Sequence, residues 1–190
     1  MSASEVLGRI GAALDRAGIA YMLTGSFASA YHGTPRSTQD IDIVIAAKPE
    51  QLRRFVESLP SGEYYADLDA ALEAHRRQSL FNVIDLATGW KVDLIIRKSR
   101  AFSHEEFGRR QLVNAQGLAL FVASAEDVVI AKLEWAKLAQ SHRQIEDVAA
   151  ILKLRLELLN RPYLERWISE LSLNEEWSDA KRVAGISESA

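Results

Sequence analysis

Asp40-Ile41-Asp42-Ile43-Val44-Ile45 sets two carboxylates into a run of β-branched residues. Isoleucine and valine favour extended chain, where their branched side chains pack well on a pleated surface. Side chains alternate between the two faces of a strand. Ile41, Ile43 and Ile45 therefore point one way, into a core, and Asp40 and Asp42 the other. The two carboxylates then stand roughly 6–7 Å apart along the strand. At an effective dielectric of about 20 they repel by roughly 2–3 kcal/mol. A cation between them turns repulsion into attraction, and Mg²⁺ takes oxygen ligands at about 2.1 Å. The segment predicts a strand with one buried face and one acidic face.

An Asp-x-Asp string alone is cheap. Asp67-Leu68-Asp69 has it too, with nothing strand-like around it. The first pair gains weight from Lys91-Val92-Asp93-Leu94-Ile95-Ile96, which places a third carboxylate inside another β-rich run. Aspartate is disfavoured inside strands, so its presence there asks for a reason. If the two strands are neighbours, Asp93 joins Asp40 and Asp42 on a common face and the three can hold one or two Mg²⁺ ions. The alternative for Asp93 is an ion pair with Lys91, which shares its face. Upstream, Leu23-Thr24-Gly25-Ser26 lies between a predicted strand and a predicted helix. A glycine there lets phosphates approach the backbone, and helix-start amides favour anionic oxygens. An ordinary strand-to-helix turn would need no ligand.

The rest of the sequence narrows the class. The chain has 190 residues and no cysteine, which excludes disulfides, zinc ribbons and thiol nucleophiles. The start, Met1 to Gly8, has no basic segment followed by an apolar run, and no apolar stretch nears the roughly 20 residues of a membrane span. A cytoplasmic location is expected. A net charge of −3 argues against a general nucleic-acid binder without local basic patches. The phosphate-binding loop ending in Gly-Lys-Ser/Thr, the dinucleotide glycine triplet, His-Glu-x-x-His and Gly-x-Ser-x-Gly are all missing. The four histidines show no ligand spacing and read as surface or loop residues, and the tryptophans, Trp135 and Trp167 above all, as packing residues.

The pattern along the chain predicts a mixed α/β region over residues 1–123 and a helical region over 124–190. In the first, helices are expected over 2–17, 25–31 and 49–59, and strands over 19–24, 41–47, 81–86, 92–97 and 118–122. Residues 63–78 read as loop followed by helix, and Thr88-Gly89 as a hairpin turn. In the second, Ser124-x-x-Asp127 and Ser141-x-x-Gln144 mark helix starts, and Pro162 opens a further helix. The fold class is α/β (α+β), a small mixed sheet flanked by helices with a C-terminal helical bundle.

Gly25-Ser26, thirteen intervening residues, Asp40-Ile41-Asp42 and the later Asp93 resemble the DNA polymerase beta-type nucleotidyltransferase superfamily. Arg36-Ser37-Thr38-Gln39 is similar to the subgroup containing AbiEii-type toxins and related small nucleotidyltransferases. Lys132 in a helical run and Arg143-x-x-x-Asp147 match that subgroup's later motifs. The resemblance spans roughly Leu23 to Ile151. It implies Mg²⁺ (or Mn²⁺) on Asp40, Asp42 and Asp93, and a nucleotide held by Gly25, Ser26, Arg36, Thr38 and Lys132. It implies catalytic roles for Asp40, Asp42, Asp93, Lys132 and Asp147, with Asp147 orienting the acceptor hydroxyl or supporting Lys132. From the residues alone, Lys132 sits on an apolar stripe with Val128, Val129, Trp135 and Ala136, so it needs a partner or must reach the rim. An ion pair with an aspartate answers that as well as a phosphate does. Asp147 alone reads as an i,i+4 partner of Arg143.

The expected activity is transfer of a nucleoside monophosphate from a nucleoside triphosphate to an acceptor hydroxyl on RNA, protein or a small molecule. By resemblance it would act beside an antitoxin-type protein partner. The alternative is a catalytically inactive nucleotide-binding or partner-binding module of the same fold.

Overall fold

A computed structural model describes residues 3–33, 38, 40–115 and 117–186. The helices are α1 (Ala3–Arg16), α2 (Gly25–His32), α3 (Pro49–Ser58), α4 (Leu68–Arg77), α5 (Ala101–Gly108), α6 (Ala125–Ala139), α7 (His142–Arg155), α8 (Arg161–Glu170) and α9 (Asn174–Ala184). The strands are β1 (Ala20–Leu23), β2 (Asp40–Ala46), β3 (Tyr64–Ala66), β4 (Leu80–Asp85), β5 (Lys91–Ile96), β6 (Gln111–Ala115) and β7 (Leu118–Val122). The chain divides into two compact units. Met1–Ser26 and Ser37–Ala123 form the first; Phe27–Arg36 and Ser124–Ala190 form the second. The sequence reading drew one division, at 123. The structure also sets the short segment from Phe27 with the helical unit. Within that unit Arg155 Nε donates to the His32 carbonyl at 2.8 Å, and Ile151 packs at Gly33.

In the first unit the seven strands form one mixed sheet in the order β3-β4-β5-β2-β1-β7-β6. This is the expected α/β fold with helices flanking a mixed sheet. Strand β2 sits at its centre, antiparallel to β1 and parallel to β5. Ile41, Ile43, Ile45, Val92, Leu94 and Ile96 are all buried, as the alternation requires. Helices α1, α3 and α4 add Val6, Ile10, Leu14, Leu52, Phe55 and Ala71 to the core. Helix α1 stops at Gly18, whose φ of +71° is open to glycine, and Ile19 N–H closes back on the Leu14 carbonyl at 2.9 Å. Ser2, where the first helix was expected to begin, lies outside the described residues.

Two strands escaped the sequence reading. Strand β3 is only three residues long, and β6 lies at the sheet edge with Gln111, Leu112 and Asn114 exposed. Neither shows a clean alternation. The second Asp-x-Asp string turns out to be a helix start: the Asp67 carboxylate accepts the Ala70 amide at 2.8 Å, and Asp69 lies in the first turn of α4.

The second unit packs α6, α7, α8 and α9 around Val129, Ile130, Leu133, Val148, Ile151, Leu164 and Trp167. Ser124 caps α6 by accepting the Asp127 amide. Asp127, read as a capping residue, is fully buried; its carboxylate receives the Ser124 hydroxyl at 2.5 Å and the Tyr163 hydroxyl at 2.6 Å. It ties α6 to α8. Trp135 corrects an expectation: it is 57% exposed, whereas Trp167 is buried. At about 100° per residue, Trp135 falls past the edge of the stripe that buries Val128, Val129, Lys132 and Ala136. His32 also departs from the surface reading, being buried on α2. Among the described residues no helix is long and apolar enough to cross a membrane.

Candidate active site

Strands β2 and β5 lie side by side in register, with Asp40 opposite Lys91 and Asp42 opposite Asp93. All four side chains share the face opposite the buried isoleucines. Adjacent strands bring opposed residues about 5 Å apart at their Cα atoms. The sheet therefore gathers three carboxylates, separated by up to 53 residues of sequence, into one patch. Asp40 is exposed, Asp42 half-buried and Asp93 largely covered.

Lys91 brings a positive charge into that patch. Its Nζ lies 3.3 Å from Asp40 Oδ1 and 3.3 Å from Asp93 Oδ2. Burial opposes the ammonium's charge, but the hydrogen bonds and charges of Asp93 and Asp40 outweigh it and hold the Lys91 pKa above the ordinary lysine value. The other Asp93 oxygen is taken as well: Asn82, opposite it on β4, donates from Nδ2 at 2.6 Å. As the side chains stand, no three His, Asp or Glu groups among the described residues are close enough together to hold a metal ion. The ion pair considered for Asp93 and Lys91 is thus present, and it includes Asp40.

Gly25 is joined to this patch by packing. Thr24 N–H donates to the Asp42 carbonyl at 2.9 Å, carrying the β1–β2 ladder to the edge of α2. Gly25 has φ +61°, and a Cβ added there would fall 2.6 Å from Asp42 Cγ and 2.8 Å from Asp42 Cβ. The missing side chain is filled by the Asp42 carboxylate. The glycine was read as admitting phosphates to the backbone; its close neighbour here is the first motif's second aspartate. Ser26 follows in the first turn of α2. Thr38 Oγ1 donates to the Asp40 carbonyl at 3.2 Å and accepts the Asp40 amide at 3.3 Å, which fixes the entry to β2. Arg36, with Ser37 and Gln39, lies outside the described residues.

A family model described as nucleotidyltransferase of unknown function (DUF6036) matches residues 10–184. The chain belongs to that nucleotidyltransferase family. No curated protein matches it. Among solved structures, an antigenic nucleotidyltransferase-like protein from Paracoccidioides brasiliensis is similar at 17% identity and TM-score 0.55, over 93% of this chain and 91% of that one. The antibiotic-resistance factor ANT(2'')-Ia, studied in solution, is similar at 16% identity and TM-score 0.56, over 96% of this chain and 98% of its own. The same factor in complex with adenylyl-2''-tobramycin is similar at 14% identity and TM-score 0.54, over 91% and 97%. At these identities the likeness is one of fold.

In this family member the remaining two predicted site residues meet each other in the helical unit. Lys132 is 4% exposed, on the buried stripe of α6. Its Nζ donates to Asp147 Oδ2 at 2.7 Å and to Gln144 Oε1 at 3.0 Å, both on α7. Asp147 pairs with Lys132, where spacing alone suggested Arg143. Burying an ammonium on an apolar stripe demands such a partner.

Sequence reasoning left two residues out of the site. The sequence marks Lys91 only as an alternative partner for Asp93, and no motif marks Asn82. The signal for both was the hairpin about Thr88-Gly89, whose register sets polar Asn82 opposite Asp93 and Lys91 two residues before it on the same face.

Proposed function

We propose that this chain transfers a nucleoside monophosphate from a nucleoside triphosphate to an acceptor hydroxyl, with Mg²⁺ or Mn²⁺ held by Asp40, Asp42 and Asp93. The observation that carries the reading is the convergence of three carboxylates on one sheet face with a positive charge between two of them. The donors are carboxylate oxygens, with neither sulfur nor imidazole, and that suits hard divalent cations. When bound, the ion supplies charge neutralisation for the triphosphate and the departing pyrophosphate.

The chain's own residues do the rest. Gly25 and Ser26 would meet the phosphates, and by the family resemblance Arg36 and Thr38 would also hold the nucleotide. The acceptor oxygen bonds to the α-phosphorus as the bond from that phosphorus to the bridging oxygen breaks. Pyrophosphate leaves with the electron pair, and Asp93 takes the hydroxyl proton. Positioning and preorganised charge account for most of the acceleration in such a transfer. By the family resemblance, Lys132 serves a nucleotide phosphate and Asp147 orients Lys132.

For the acceptor we favour an RNA end, in the manner of the AbiEii-like subgroup and within a toxin–antitoxin or defence pair in the cytoplasm. Its support is local charge. Lys48 and Arg97 line one cavity of about 370 Å³ in the sheet unit, beside His75 and His104 and with no carboxylate among the lining residues. The cavity reaches Ile45 and Ala46, at the far end of β2 from Asp40. The two ends are about 20 Å apart, the length of roughly six stacked nucleotides. The adenylyl-2''-tobramycin complex of ANT(2'')-Ia suggests an aminoglycoside as the competing acceptor.

A second reading rests on the Lys91 contacts. A carboxylate pair neutralised for good by an internal ammonium would leave a nucleotide-binding or partner-binding module without catalysis. The deciding experiment incubates the protein with labelled nucleoside triphosphates and Mg²⁺ or Mn²⁺, offering total RNA in one arm and aminoglycosides in another. Label in RNA that disappears in Asp42→Ala supports the proposal. Label only on aminoglycosides moves the acceptor class, and nucleotide binding without transfer favours the module.

A further inference from the structure

Lys91 holds the place a cation would take. Its ammonium is equidistant, at 3.3 Å, from one oxygen of Asp40 and one of Asp93. A Mg²⁺ ion binding those same two oxygens at about 2.1 Å holds them within about 4.2 Å of each other. The ammonium bridges those same two oxygens, and a divalent ion binding both would repel it. The two cations exclude each other.

Three observations indicate that the lysine is the partner free to leave. Its side chain is 41% exposed, on a flexible four-carbon stem that can carry the charge into solvent. Asp40 is 54% exposed at its side chain, so it too can adjust. Asp93 and Asp42 are fixed: Asn82 holds Asp93 from β4, and Asp42 is lodged in the space left by Gly25.

We propose that Lys91 is a built-in, displaceable counter-ion that bridges Asp40 and Asp93 while the site is metal-free and is expelled when the divalent ion binds. The inference rests on the metal-dependent reading of the site. It adds that metal affinity is set by competition with the chain's own lysine. Without Lys91, the metal-free protein would lose the bridge between Asp40 and Asp93, and metal would recover more stability on binding.

The test compares wild type, Lys91→Met and Lys91→Gln by Mn²⁺ binding in electron paramagnetic resonance and by thermal unfolding with and without Mg²⁺. Both variants should bind Mn²⁺ roughly five- to tenfold more tightly, as removal of a competing unit charge allows. Both should melt lower than wild type without metal and show the larger rise on adding it. Wild-type binding with no gain in either variant overturns the inference and leaves the metal reading standing. No Mn²⁺ binding by any of the three folded proteins sinks the metal reading and takes the inference with it. Should both variants fail to fold, wild type labelled with ¹³C-lysine decides. The Lys91 side-chain signals, assigned by their loss in Lys91→Arg, must move on adding Mg²⁺; signals unmoved while Mn²⁺ is bound overturn the inference.

Discussion

Gly25 leaves the space in which the Asp42 carboxylate sits. Two demands meet at that glycine: a φ of +61° and the absence of a side chain that would fall 2.6 Å from Asp42 Cγ. Gly25→Ala should therefore be destabilising on both counts. The left-handed backbone alone is worth about 1–2 kcal/mol for a residue with a Cβ. Gly89 supplies the control, since it has φ +73° with nothing within 4 Å of an added Cβ. In thermal unfolding, Gly25→Ala should lose clearly more than Gly89→Ala, the excess being the displaced carboxylate. Equal losses would mean that Asp42 yields without strain.

The Lys132–Asp147 pair makes a prediction in the helical unit. Both side chains are nearly covered, at 5% and 11% exposure. Removing one partner of a buried pair strands the other charge, at a typical loss of about 3–5 kcal/mol. Lys132→Met and Asp147→Leu should each unfold well below wild type. The double variant should recover most of that loss, because two apolar groups replace two charges. If the double variant loses the sum of the singles, the pair is not coupled as the contact implies.

Acid should unfold the protein partly through Asp85. This buried carboxylate meets Arg9, the Thr88 hydroxyl at 2.8 Å and the Thr88 amide at 3.0 Å. Burial opposes its charge, but the Thr88 bonds and the Arg9 guanidinium outweigh it and hold its pKa below the usual aspartate value. A folded-state pKa below the unfolded one stabilises the fold above the unfolded value, near pH 3.9. That contribution is lost as pH falls through the lower folded value. Melting temperature followed from pH 6 to pH 2.5 should fall steeply at the acid end, and Asp85→Asn should flatten that fall while lowering the plateau.

The same residues mark what was legible in the sequence. Strands β2 and β5 could be read because isoleucine and valine alternate with aspartate, a local pattern that depends only on the pleat. Their adjacency could not: β2 and β5 are parallel neighbours joined through α3, β3, α4 and β4, and nothing local to either strand encodes that order. Lys91 was visible as a neighbour of Asp93, yet its bridge to Asp40 exists only once the two strands are in register. Lys132 announced its need for a partner through its apolar flanks, but its contact with Asp147 exists only once α6 packs on α7. Asp85 was hidden as the polar end of a strand, since Arg9 lies 76 residues away. Edge strand β6 gave no signal because an edge needs no buried alternation.

The sharpest separation between a functional and a structural acidic face comes from Asp42→Asn. Asp42 and Asp93 stand opposite each other on neighbouring strands, where like charges are unfavourable by about 0.2–1 kcal/mol. That pairing of like charges is a local cost to the fold. Asparagine preserves the shape lodged against Gly25 and removes one of the two charges. The metal-free Asp42→Asn protein should then melt higher than wild type by up to about 4 °C, given the usual response of a chain of this size. It should also lose nucleotidyl transfer and the stabilisation by Mg²⁺. Stability gained with activity lost is the expected signature of a site strained for function. A lower melting point with Mg²⁺ stabilisation intact would instead make Asp42 a packing residue, and the ligand set would have to be drawn without it.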